Sequence, residues 1–97
     1  MNDTQRVNPD TRVFIPAHVH AREFEGEMVI VDLEQGQYYA LDDVGTRLWN
    51  GMSAGKTAAE VAIDIEPHYD VALATLIADL SALCDEWLAR GLVQLPA

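Results

Sequence analysis

The first half of the chain carries the apolar and polar spacing of β-strands. Within His18–Glu25, Val19 and Ala21 would lie on one side of a strand and Phe24 on the other, a two-residue period that predicts a strand. Met28–Leu33 is instead almost continuously apolar and β-branched. Such a run is typical of a strand covered on both faces, so we predict this segment at the centre of a sheet.

A glycine turn and a third strand follow. Glu34–Gly36 places glycine where a tight turn requires a positive φ. Gln37–Leu41 then reads as the third strand. Because short turns join neighbouring strands in opposite directions, the three segments predict an antiparallel meander with two edge strands.

The second half of the chain has the three- and four-residue spacing of helices. A first helix is predicted to run to about Met52, with Asp42 or Asp43 as its N-cap. Thr57 and Glu60 match a capping box. The second helix is therefore predicted to begin at Thr57 and to end before the proline at position 67.

The third helix is predicted to be the longest. Asp70 is its expected N-cap, and Gly91 suits the position just after a helix C-terminus. Apolar residues recur along it at three- and four-residue steps: Leu73, Leu76, Ile77, Leu80, Leu83, Cys84, Trp87 and Leu88. A stripe this broad can touch more than one surface. Val93–Leu95 is predicted as a short extended tail.

These elements predict one α+β domain of winged helix-turn-helix type, with a three-stranded antiparallel sheet followed by three helices. The length of 97 residues suits a single domain. Residues 1–16 are polar and contain two prolines, so we expect a flexible or loosely attached N-terminal arm. The domain itself is predicted to span residues 17–97.

The charge balance disfavours several kinds of partner. The chain has 6 Lys+Arg against 16 Asp+Glu, a formal net charge of -10, which repels nucleic acid and anionic membranes. A DNA-reading helix needs cations near its start, whereas the one cation of the third helix, Arg90, lies at its far end. A single cysteine and a polar N-terminus without a signal-peptide pattern lead us to expect a cytoplasmic protein.

The residues do not predict an enzyme, a cofactor or a metal. Cys84 lies on the apolar stripe of the third helix and is expected to be a buried structural thiol. His18 and His20 would point to the same side of a strand, but no third ligand is in view. Acidic pairs such as Asp42 and Asp43 are explained by helix capping.

Peptide binding is the function that remains. Gln37–Leu41 is aromatic and uncharged, without the lysine or proline that usually protects an edge strand. An extended peptide could add there as a further strand. A helix of the same chain, or a second copy forming a homodimer through the exposed strand edge, could cover it instead.

Three segments together resemble the PqqD family, the peptide-recognition elements of ribosomal natural-product (RiPP) pathways. They are VDLEQGQYYALDDVGTRLW, GKTAAEVAIDIEPHYDV and LIADLSALCDEWLARGLV. The likeness spans about Val19 to Val93, and its specificity lies in the order and spacing of these segments. GQYYALDDVGTRLW is most similar to the stand-alone recognition proteins of split lasso-peptide systems.

This resemblance implies a non-catalytic adaptor that binds the leader segment of a precursor peptide. The leader would pair along the third strand and pack against the third helix. Its implied partner is a leader protease or another maturation enzyme, and no cofactor is implied. Carried onto this chain, the peptide-binding residues are Gln37, Tyr38, Tyr39, Ala40, Leu41, Leu76, Ile77, Leu80, Leu83, Cys84 and Leu88.

Two alternatives stay open from the sequence. The same fold could deliver a precursor peptide to a radical-SAM maturase, as in pathways to a pyrroloquinoline-type cofactor. A winged-helix regulator that binds DNA is the other, and the acidity of the chain argues against it.

Overall fold

The computed structural model describes residues 9–25 and 27–96. Three strands come first, β1 (Val19–Phe24), β2 (Glu27–Asp32) and β3 (Gln37–Leu41). Three helices follow, α1 (Asp43–Ser53), α2 (Ala58–Ile65) and α3 (Leu73–Ala89), with a single 3-10 turn at Glu66–His68 after α2. The predicted α+β fold, three antiparallel strands followed by three helices, is confirmed.

The sheet is antiparallel in the order β1-β2-β3, so β2 is central as predicted. Met28, Ile30 and Asp32 of β2 are buried, but Val29 and Val31 between them are only half-buried. The expectation that this strand is covered on both faces is therefore wrong. Helices pack on one face of the sheet. Val29 and Val31 lie on the other, outer face, which also carries the exposed side chains of Phe24, Leu33 and Tyr38.

The turn between β2 and β3 is held by Asp32 and Gly36. Gly36 has a φ of 68°, as the sequence predicts for this glycine. The fully buried Asp32 carboxylate accepts hydrogen bonds from the backbone N–H groups of Glu34 (3.0 Å) and Gln35 (3.1 Å). This local bonding fixes the hairpin and so the direction of β3.

Two of the three predicted helix starts are confirmed. The Asp42 side chain caps α1 by accepting from the Gly45 N–H at 2.7 Å. Thr57 and Glu60 form the reciprocal capping box of α2.

The predicted cap of α3 is wrong. The helix begins after Ala72, which is extended and supplies no side-chain cap, and Asp70 lies two residues too early to reach the first turn. The chain before it is held elsewhere, because the Tyr69 hydroxyl donates to Asp43 at the start of α1. The end of α3 is as predicted, with Gly91 following the helix at a φ of 77°.

The core lies between the inner face of the sheet and the three helices. Ile30, Leu48, Leu80 and Leu92 are at most 1% exposed. The two tryptophans, Trp49 of α1 and Trp87 of α3, meet edge-to-face with 5.2 Å between ring centroids and an interplanar angle of 75°. This contact fixes the orientation of α3 against α1.

The described part of the N-terminal arm is attached to the domain. Val13 is buried in the core, and Phe14 and Gln94 exchange two backbone hydrogen bonds of 2.8 Å. The N–H of Ala59 donates to the carbonyl of Pro9. Residues 1–8 of the predicted arm lie outside the described residues, and the division of the chain at residue 16 stays a prediction.

Candidate functional site: the groove between β3 and α3

The hydrogen bonds of the sheet determine which backbone groups of β2 face each neighbour. Leu33 donates its N–H to the carbonyl of His18 at 2.8 Å, one step beyond the registered pair Val19 and Asp32. Successive residues of a strand bond to opposite sides. Leu33, Val31 and Val29 therefore bond toward β1, and the residues between them bond toward β3.

The register of β2 and β3 extends this alternation to the free edge. Asp32 pairs with Gln37 and Ile30 pairs with Tyr39, so Gln37 and Tyr39 direct their N–H and C=O groups inward, to β2. Tyr38 and Ala40 direct theirs outward. No other strand among residues 9–25 and 27–96 pairs with that side of β3. β3 thus presents unpaired backbone groups to a further strand.

A groove of about 340 Å³ runs beside this edge. It lies between β3, the first turn of α1 and the C-terminal half of α3. The residues that line it are Tyr39, Ala40, Leu41, Asp42, Gly45, Leu83, Glu86, Trp87 and Arg90. The groove therefore joins the open strand edge to a helix wall.

The floor of the groove is apolar and firmly supported. Leu83 and Trp87 are one helical turn apart on α3, where their side chains share a face. Trp87 is only 3% exposed and is braced by the ring of Trp49. Leu41 of β3 is half-buried against the same core. An apolar peptide side chain that entered the groove would meet a surface already fixed in shape.

Gly45 allows α1 to begin close to β3. A Cβ atom at this position would lie 3.1 Å from the Asp42 carboxylate oxygen and 3.4 Å from Leu41 Cβ, which is tight packing. The absence of a side chain therefore lets the first turn of α1 form one end of the groove.

Charged groups lie along the rim. Arg90 donates to the Glu86 carboxylate at 3.2 Å, and its guanidinium lies over the Tyr39 ring at 5.4 Å from the ring centroid. Because both pairs are solvent-exposed or nearly so, each is worth at most about 1 kcal/mol. They nevertheless connect the end of α3 to the edge strand.

The structure divides the eleven residues predicted to bind peptide into distinct sets. Tyr39, Ala40, Leu41 and Leu83 line the groove. Gln37 and Tyr38 belong to the edge strand but not to the groove lining, and the Tyr38 side chain is 73% exposed on the outer face of the sheet.

The remaining five predicted residues belong to the core or its margin. Leu76, Leu80 and Cys84 are between 1% and 4% exposed, pack inside the core and do not line this groove. Ile77 and Leu88 are half-buried against the core and do not line the groove.

Five lining residues were absent from the predicted set: Asp42, Gly45, Glu86, Trp87 and Arg90. Trp87 was recognisable as part of the apolar stripe of α3. Nothing in the sequence pattern marks the charged residues as part of a site, because only the position of β3 against α3 brings them together.

The candidate nucleophile is inert. The Cys84 thiol is buried and donates to the Met52 sulfur at 3.4 Å. Burial, with a smaller contribution from the Asp85 carboxylate, raises the pKa of Cys84 to about 12, which suppresses the reactive thiolate.

Neither a metal site nor a membrane span is found in the described residues. Across residues 9–25 and 27–96, the His, Cys, Asp and Glu side chains nowhere gather in threes suited to a metal ion. Within the same residues, every helix is too short or too polar to cross a bilayer.

A family model shows the family of this chain, and solved structures match its fold. The family model described as "Coenzyme PQQ synthesis protein D (PqqD)" matches residues 27–93. A solved structure described as "TbiB1 in Complex with the TbiA(beta) Leader Peptide" is 28% identical with a TM-score of 0.79, covering 87% of this chain and 98% of that one. Among curated proteins, none matches this chain.

A second solved structure supports the fold alone. It is described as "Lasso peptide synthetase B1 complexed with the leader peptide" and is 22% identical with a TM-score of 0.80. The superposition covers 88% of this chain and 99% of that one.

Proposed function

We propose that this chain, which belongs to the PqqD family, is a non-catalytic adaptor. It would bind the leader segment of a ribosomally made precursor peptide. The single observation that carries the proposal is the groove beside the unpaired edge of β3. An extended leader would hydrogen-bond to the outward groups of Tyr38 and Ala40. Its side chains on one face would enter the groove.

The chemistry of the groove suits recognition of an apolar peptide face. Apolar surface is offered by four lining residues, Tyr39, Leu41, Leu83 and Trp87. The outward backbone groups of β3 can hydrogen-bond to a peptide of any sequence. We expect a dissociation constant of about micromolar or lower, roughly -8 kcal/mol. That value is net of the roughly 2–5 kcal/mol needed to order a flexible segment.

The adaptor would present the bound leader to a maturation enzyme. We infer that this enzyme is a lasso-peptide leader protease, as the resemblance to the stand-alone recognition proteins of split lasso-peptide systems implies. The 28%-identical structure, a TbiB1 complex with a leader peptide, supports the leader-binding step. The partner enzyme would have to contact surface that the leader leaves open. The outer face of the sheet, with exposed Phe24, Leu33 and Tyr38, is the apolar surface of the described residues best suited to this.

A second candidate is delivery of a precursor to a radical-SAM maturase. It is favoured by the family model that matches this chain, which describes a protein of coenzyme PQQ synthesis. The two candidates share the same leader-binding step. The neighbouring genes distinguish them, since a protease with a cyclase indicates the first and a radical-SAM enzyme the second.

The test of leader binding uses a matched pair of proline variants. Ala40→Pro removes an outward N–H of β3 without breaking the ladder to β2. Ala21→Pro is the control, because the alternation that applies to β2 places Ala21 at an outward position on the opposite edge of the sheet. Proline is tolerated at such edge positions, so both variants are expected to fold, which circular dichroism checks.

The ligand is the fluorescein-labelled leader of the precursor encoded beside this chain. Fluorescence anisotropy should show that Ala40→Pro weakens binding about tenfold or more, because a hydrogen bond is lost and the proline ring obstructs the added strand. Ala21→Pro should bind like the parent protein. Equal binding by both folded variants would contradict strand addition at β3.

A further inference from the structure

The peptide groove continues past the end of β3 along α3. A second cavity, of about 360 Å³, shares Asp42, Leu83 and Glu86 with the groove. We call it the α3 trough, and its lining residues are Asp42, Val44, Asp79, Leu80, Ala82, Leu83 and Glu86. A peptide longer than the strand-forming segment would lie in this trough.

The charged side chains that line the α3 trough are all carboxylates. Glu86 is neutralised by Arg90. Asp42 accepts one hydrogen bond from Gly45, and neither Asp42 nor Asp79 forms an ion pair with the described residues. The Asp42 carboxylate also caps the positive end of α1, which offsets part of its charge. The side chains that line the trough still carry a net negative charge, whereas the end of the groove near Tyr39 has Arg90.

Apolar surface lies directly beneath these carboxylates. Val44 and Leu83 are half-buried, and Leu80 is almost fully buried below them. A concave surface with apolar walls concentrates the field of the charges at its rim. It also suits the aliphatic stem of a long basic side chain, whose charged end can then reach the rim.

We propose that the α3 trough selects leader peptides with a lysine or arginine that lies between Asp42 and Asp79. This inference rests on the proposed function and specifies the class of peptide that the site accepts. The aliphatic stem of the basic residue packs on Val44 and Leu83, and its cation pairs with the two carboxylates. Charge complementarity at this position, rather than the net charge of the chain, then distinguishes one peptide from another.

The geometry also determines where the basic residue lies in the peptide. β3 runs toward Asp42, so the trough lies beyond the C-terminal end of β3. In a strand added antiparallel to β3, the basic residue precedes the strand-forming segment. In a parallel strand it follows that segment.

The test is an mRNA-display selection with a randomised library of 20-residue peptides, and the parent protein is the bait. Selected peptides are expected to share a lysine or arginine at a constant distance from their apolar residues. The same selection on the double variant Asp42→Asn/Asp79→Asn should lose that enrichment. Asparagine remains a good N-cap, so this change at position 42 preserves the start of α1.

Affinity measurements then separate local charge from net charge. The strongest selected peptide and its version with glutamine in place of the basic residue are compared at 20 mM and 300 mM salt. We expect the basic residue to tighten binding about threefold to tenfold at low salt, and less at high salt. Asp79→Asn should remove most of this difference. Asp70→Asn, an equal charge change at an exposed residue outside the trough, should preserve it.

Two results would overturn the inference, and they differ in what they say about the function. If the selected peptides show no enrichment of lysine or arginine but bind Ala40→Pro more weakly than the parent protein, the charge selection is wrong. The proposal of peptide binding at β3 then still holds. Selected peptides that bind Ala40→Pro and the parent protein equally would contradict the proposed function as well.

Discussion

The guanidinium of Arg90 lies over the ring of Tyr39, with 5.4 Å between its Cζ atom and the ring centroid. One residue terminates α3 and the other belongs to the edge strand β3. The contact therefore spans the groove at one end, and it helps to set the distance between the helix wall and the strand to which a peptide would pair.

We expect Tyr39 and Arg90 to be energetically coupled. In a double-mutant cycle with Tyr39→Leu and Arg90→Met, urea unfolding should give a coupling energy of about 0.5–1 kcal/mol. Arg22→Met on β1 is the control, since Arg22 makes no contact with this ring and should be additive with Tyr39→Leu. If the effects of Tyr39→Leu and Arg90→Met on the free energy of unfolding are additive, the contact between the two side chains does not stabilise the protein.

Hydrogen exchange should reveal the two kinds of amide on β3. The amides of Tyr39 and Leu41 bond to β2 and should be protected with or without leader. The outward amides of Tyr38 and Ala40 should exchange quickly in the free protein and gain protection when leader binds, because an added strand would accept from them. NMR exchange rates measure this directly.

The outward amide of Ala21 on β1 supplies the internal reference for that experiment. Its exchange rate should not change on leader binding. Protection that appears at Ala21 rather than at Ala40 would move the peptide to the other edge of the sheet.

Cys84 should resist thiol reagents in the folded protein. With a pKa of about 12, roughly one thiol in ten thousand is ionised at pH 8. DTNB should react with the urea-unfolded protein at once and with the folded protein only as it opens. Rapid labelling of the folded protein would contradict the burial of this thiol.

The same pKa has a consequence for stability. The folded value lies above the unfolded value of about 8.5, so burial of the neutral thiol contributes fully below that pH. The contribution is lost as pH rises from about 8.5 toward 12. The Cys84→Ala variant should therefore lose less stability than the parent protein between pH 8 and pH 10 in urea titrations.

Gly51 is expected to be essential for the packing of α1 against α2. A Cβ atom at this position would collide with Cγ2 of Val61. Gly51→Ala should therefore lower the free energy of unfolding by about 1–3 kcal/mol, despite the better helix propensity of alanine. In a Val61→Ala background the same substitution should cost less than half as much. An equal cost in both backgrounds would assign the effect to something other than this contact.

The sequence predicted local features well where a few adjacent residues determine them. Gln37–Leu41 is the third strand, Thr57 and Glu60 form the capping box, and Gly36 and Gly91 have the expected positive φ. Each of these depends on turn or cap chemistry within about four residues. The family resemblance, which depends on the order of three longer segments, is also confirmed.

The division of α3 between the core and the groove was not predictable from its apolar stripe. Periodicity shows which residues share a helix face, but not where a second surface begins on that face. Leu80 and Cys84 point into the core, whereas Leu83 and Glu86 line the groove. Only the position of β3 and of the first turn of α1 separates the two sets.

Two other differences have similar causes. The apolar run of β2 predicts a strand covered on both faces, yet its outer face is open because α1 and α3 meet the sheet on its other side. Asp70 resembles a helix cap in the sequence. The chain just before it is held at α1 by the hydrogen bond from Tyr69 to Asp43. It is still extended at Ala72, so α3 begins only after that residue.

The outward groups of Tyr38 and Ala40 bear on how freely a precursor gene can change. Backbone hydrogen bonds do not depend on the codon at the paired position, and every second residue of an added strand points away from the groove. Mutations at those alternate codons should be nearly neutral for recognition. A single adaptor of this kind could therefore keep binding leaders whose sequences have diverged, without changing itself.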